Sequence, residues 1–74
     1  MTFELETEDK INIVKNHLRN IATNKFNIEL SIAQASAMSR PPVATIDSYN
    51  LQLSDFAAQE AVLSQKLDEL EQQA

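Results

Sequence analysis

The chain has 74 residues, no cysteine, no glycine and a single histidine, and acids outnumber bases so that the net charge at neutral pH is −5. That length allows one small domain, and a domain of this size rarely draws more than ~3–5 kcal/mol from its own core. Disulfides are excluded and a thiolate zinc site is excluded with them, which leaves association with another chain as the expected source of further stability.

The N-terminal stretch MTFELETED is acidic and lacks the basic and apolar regions of a secretory leader. No apolar run approaches the ~18 residues of a membrane span. A cytoplasmic setting and no membrane partner are therefore expected, as fits a cysteine-free chain. The bases Lys10, Lys15, Arg19 and Lys25 form a thin line flanked by Glu4, Glu6, Glu8 and Asp9 at one chain end and Asp68, Glu69 and Glu71 at the other. Phosphate backbones require a denser basic stripe, so no nucleic-acid partner is expected.

The first predicted element is a helix over about 8–39. Ile11, Val14, Leu18, Ile21, Lys25, Ile28, Ile32 and Ala35 follow one another at steps of three and four, a heptad seam with one charged interruption. Thr7 is the expected N-cap, and Glu8 and Asp9 suit the positive end of the helix dipole. A row of asparagines from Asn12 to Asn27 lowers intrinsic propensity, so this helix should depend on packing.

The next element is a turn over about 40–44. Arg40 precedes Pro41 and is pushed out of the helical region, and neither Pro41 nor Pro42 can donate a backbone hydrogen bond. The first helix should end near Met38 or Ser39. Pro42 as first helical residue and Thr45 as N-cap, with Asp47 in the first turn, are both open as the start of the second helix.

The second helix is predicted over about 45–73. Its seam runs Ile46, Tyr49, Leu53, Phe56, Glu60, Leu63, Leu67, Leu70 and Ala74, again at steps of three and four. Two heptad helices with a short connection pack side by side in opposite directions. In such a pairing the numbers of facing residues have a constant sum. Leu18 with Leu67, Ile32 with Leu53 and Ile11 with Ala74 each sum to 85, and Ile21 with Leu63, Ile28 with Phe56 and Val14 with Leu70 to 84. Lys25 and Glu60 also sum to 85, so the two interruptions are expected to meet as a charge pair. The expected fold is an all-α, antiparallel two-helix hairpin of coiled-coil type, a single domain over 1–74, built into a larger helical bundle by oligomerisation.

The stretch INIVKNHLRNIATNKFNIELSI, residues 11–32, resembles short uncharacterised proteins of myoviruses that infect cyanobacteria. The resemblance is carried by Lys15, His17, Arg19, Asn20, Asn24, Lys25, Asn27, Glu29, Leu30 and Ser31. It covers about a third of the chain, implies a phage-encoded helical hairpin in the cytoplasm of a bacterial host, and brings no catalytic motif.

No catalytic, cofactor-binding or metal site is expected. His17 would have to act alone, and it lies beside the seam as a helix-flank residue. Without glycine there is no phosphate cradle. The acid pairs Glu4 with Glu8 and Asp68 with Glu71 have helical spacing but no neutral ligand beside them, and the asparagine row reads as a solvated polar face. The outward apolar residues are more informative. Phe26, Leu30, Ala33 and Ala37 lie opposite the first seam, and Leu51, Ala58, Ala61 and Val62 lie off the second. These residues form the expected interface with a copy of the chain or another protein. The expected function is that of a non-enzymatic, self-associating adaptor, scaffold or assembly factor. The alternative is an acidic regulator or inhibitor that binds a host enzyme or nucleic-acid-binding protein.

Overall fold

The computed structural model describes residues 4–74 and consists of two helices, α1 (Thr7–Ser36) and α2 (Val43–Gln73). They pair along their length as an antiparallel hairpin with overall dimensions of 59 × 20 × 18 Å. The radius of gyration, 17.1 Å, is well above the ~11 Å of a spherical chain of this length. This is a rod, two helices thick in one direction and one in the other.

The seam positions carry the pairing. Every α1 residue from Ile11 to Ala35 in the three-four series is buried or half-buried, and so is every α2 residue from Ile46 to Leu70. Their helix-mates one step round are exposed, apart from the half-buried Ser31 beside Ile32. Thr7 and Pro42, each four residues before the first apolar member of its series, continue the protected line. Ala74 departs from the expectation. It lies past the end of α2 and is exposed, so the contact with Ile11 that the constant sum suggested has no helix to hold it.

The helix ends differ from the expected ones, and each difference has a cap-chemistry reason. Thr7 is the first residue of α1 rather than its cap. Glu6 holds the N-cap position with extended backbone and accepts the Lys10 N–H at 3.1 Å, without a side-chain cap bond. α1 stops at Ser36, ahead of Met38. With no glycine available for a left-handed cap, the last turn tightens into three-residue bonds, Ala37 N–H to Gln34 O (3.3 Å) and Met38 N–H to Ala35 O (3.2 Å). Ala37 itself stays right-handed, at φ −81° and ψ −8°. The chain then needs residues 37–42 to reverse. Val43 begins α2, one residue after Pro42, whose carbonyl accepts the Ile46 N–H at 3.0 Å. Thr45 therefore lies inside the helix and does not cap it, and Asp47 falls beyond the first turn.

Two hydroxyls on α1 bond back along the helix, Thr23 to the Arg19 carbonyl (3.0 Å) and Ser31 to the Asn27 carbonyl (3.1 Å). Such bonds satisfy the hydroxyl locally and leave it without need of a partner on α2.

Candidate functional site: an ion pair in the seam and uncovered outer faces

At mid-length, the seam brings Lys25 of α1 and Glu60 of α2 to the same level. Lys25 Nζ donates to Glu60 Oε1 at 2.6 Å, with the side chains 30% and 33% exposed. The cause is helical phase. Both residues occupy seam positions, so both stems start toward the partner helix, between Ile21 and Ile28 on one side and Phe56 and Leu63 on the other. The heads reach the edge of the seam, meet, and remain partly in water. Partial exposure spares most of the desolvation cost that makes fully buried pairs unfavourable. Among the described residues this is the one salt bridge within 4.0 Å.

The packed interior is thin. Among the described residues Ile21, Ala35 and Leu70 are the buried apolar residues, and no side chain falls below 2% exposure. The remainder of the seam is half-buried, because a two-helix pair covers each side chain from one direction only.

All eight residues expected at an interface are exposed in the single chain. On α1, Phe26 is 59% and Leu30 46% exposed and Ala33 continues the same line, which Ala37, the C-cap just past Ser36, extends. On α2, Leu51 is 64% and Val62 67% exposed. The structure separates these residues into two faces. α1 and α2 each turn their seam toward the other, and Ala58 and Val62 border a flank groove that none of Phe26, Leu30, Ala33 and Ala37 lines. The eight residues do not make one continuous patch.

Sequence reasoning did not find a groove along one flank of the hairpin. Its floor is Ile21, Phe56 and Leu63, and its rims are His17, Asn20 and Asn24 of α1 and Ala58, Gln59 and Val62 of α2, around about 570 Å³. Ile13 lies four residues before His17 on the same helix face and lines a second groove nearer the chain ends, with Leu5, Leu70 and Lys66. Part of the asparagine row therefore edges an apolar trough. The three-four spacing of Ile13, His17, Asn20 and Asn24 was the available signal, a second seam one step from the first. Its polar character hid it.

His17 is exposed, and no second titratable side chain lines its groove. Glu4, Glu6, Glu8 and Asp9 and, from the other chain end, Asp68, Glu69 and Glu71 are exposed at the open end of the hairpin. Among the described residues no three His, Asp or Glu side chains cluster as a metal site, and no helix is long and apolar enough to cross a membrane. Comparison of the chain with protein-family models, with curated proteins and with solved structures finds no match.

Proposed function

We propose that this chain is a non-enzymatic interaction protein, a helical hairpin that associates with its own copies and serves as an adaptor, scaffold or assembly factor. One observation carries the reading. Among the described residues the chain buries only Ile21, Ala35 and Leu70 and leaves Phe26, Leu51 and Val62 more than half exposed. Burying apolar area is worth ~25 cal/mol per Å², and a second chain supplies the cover that the hairpin lacks. The resemblance of residues 11–32 to small cyanobacterial-myovirus proteins supports a phage origin within this reading. Sedimentation equilibrium from micromolar to millimolar chain tests it. An oligomer populated within that range is expected, and a monomer mass throughout would refute it.

The second reading is an acidic regulator of a host protein. It draws on the hairpin's topology, which gathers the acids of both chain ends at the open end of the rod. Salt separates the two readings. Binding through that acidic end should weaken steeply between 50 and 500 mM salt, and apolar self-association should not.

A further inference from the structure

We infer that two copies of the hairpin pair through the outer face of α1, antiparallel and related by a twofold axis between residues 31 and 32; this rests on the self-association proposed above and specifies its geometry. The outer stripe is Phe26, Leu30, Ala33 and Ala37, with steps of four, three and four. That series reads the same in both directions. Two copies laid antiparallel about its centre pair residues whose numbers sum to 63. Phe26 then faces Ala37 of the other copy, and Leu30 faces Ala33. Each large side chain meets a small one, the arrangement by which facing helices interdigitate, and the surface is complementary to itself as a twofold interface requires.

The outer stripe of α2 lacks this property. Leu51, Asp55, Ala58 and Val62 have the same steps, but reversal sets the branched Leu51 against the branched Val62, and it sets Asp55 against Ala58, only ~4.5 Å along the axis from the second Asp55. The two stripes also differ in charge. Between Phe26 and Ser39 the sole charged residue of α1 and its exit is Glu29, which lies off the stripe.

Electrostatics and area favour a second copy as the occupant. Every copy carries −5, and its exposed acid clusters lie at the open end, so any arrangement that juxtaposes open ends is repulsive. The antiparallel α1 pairing overlaps the turn-proximal ends and points the open ends apart. The two Asp9 residues come to lie roughly 65 Å apart at 1.5 Å per residue, many times the ~8 Å screening length at physiological salt. The single chain exposes 5867 Å², about 1,300 Å² more than a compact monomer of its mass, and the facing segments, residues 26–37 or ~18 Å of helix, cover part of that excess.

The native chain has no cysteine, so disulfide trapping is clean. Asn27→Cys with Gln34→Cys flanks the stripe and leaves all four stripe residues in place. Within one helix these positions lie ~10 Å apart and cannot bridge. Across the proposed twofold, Asn27 of one copy and Gln34 of the other fall on the same flank of the stripe, one step past Phe26 and Ala33, and within ~3 Å of one another along the axis. Mild oxidation at a concentration where sedimentation shows association should convert the double variant to a covalent dimer at least tenfold more than either single variant. An oligomer that persists without this cross-link, or a ladder of higher species from head-to-tail contacts, overturns the geometry and leaves self-association standing. A monomer mass at every concentration removes the self-association reading itself. A second variant avoids cysteine. Ala33→Leu sets leucine against Leu30 of the other copy and should weaken association at least tenfold. Tighter association in that variant would show a generic apolar patch and overturn the large-on-small pairing.

Discussion

Replacing Lys25 and Glu60 by leucine, singly and together, separates what their ion pair contributes from what its position costs. The contact is short, 2.6 Å, but each side chain keeps about a third of its surface in water. Exposed pairs contribute up to ~1 kcal/mol, whereas removing one partner of a fully buried pair costs ~3–5 kcal/mol. The structure lies nearer the first limit, so a coupling of about 1 kcal/mol is expected. A leucine fully buried from water gains ~1.5–3 kcal/mol. At a site two-thirds covered, each replacement should gain about 1–2 kcal/mol before the lost pairing is counted. Lys25→Leu with Glu60→Leu should therefore be more stable than the native chain by about 1–3 kcal/mol, a rise of roughly 5–20 °C in midpoint for a domain of this size. Each single variant should show less than half of that gain, because the surviving charge sits at the seam edge without its partner. The measurement is urea unfolding followed by helical circular dichroism, all four chains at one concentration. Single changes that add to the double within ~0.3 kcal/mol would show that the two heads do not interact, whatever their separation.

Other outcomes follow from the same structure. The thermal midpoint should fall by about 5–10 °C over a hundredfold dilution, because a dimer loses ~2.7 kcal/mol of mass-action stabilisation; calorimetry at two concentrations checks it. Leu70→Ala should cost about 2–3 kcal/mol, since Leu70 is 4% exposed and seated between the helices. Val62→Ala should change the hairpin's own stability by less than ~0.5 kcal/mol, as befits a residue 67% exposed; urea titration of dilute chain compares the two. Glu6→Asp should raise stability by about 0.5–1 kcal/mol. Glu6 has N-cap backbone geometry but no side-chain cap bond, and the shorter carboxylate can reach the first free N–H groups. The same titration measures it.

The seam was legible because burial in a helix pair is a matter of phase. Ile11 to Ala35 and Ile46 to Leu70 repeat with the period of the structure they form, and the antiparallel constant sum then located Lys25 against Glu60 without coordinates. The helix ends were less legible. Thr7 was read as a cap from its residue type, but capping depends on backbone angles that residue type does not determine, and Glu6 took the position. The end of α1 at Ser36 depended on how a glycine-free chain closes its last turn. The flank groove depended on two helices at once. Its rims mix Asn20 and Asn24 with Ala58 and Val62, and a pattern sought helix by helix does not join them. The eight outward residues are exposed in the single chain, but their division into two faces follows only when both helices are oriented together.

The reversal at residues 37–42 is made without a left-handed residue: among the described positions no φ is positive, and the sequence has no glycine to supply one. Turns that need a positive φ restrict their own sequence, since a Cβ there is penalised. This turn carries no such restriction. Ala37, Met38, Ser39 and Arg40 are exposed, and other L-residues fit the same backbone at little steric cost. The two prolines, with φ held near −65°, limit what the unfolded chain can sample at the bend. The side chains of Met38, Ser39 and Arg40 are thus uncoupled from the hairpin's own folding. Substitution at the tip can alter what the rod touches while its architecture stays the same, and a grafted peptide between Met38 and Arg40 would be displayed at the end of an otherwise unaltered hairpin.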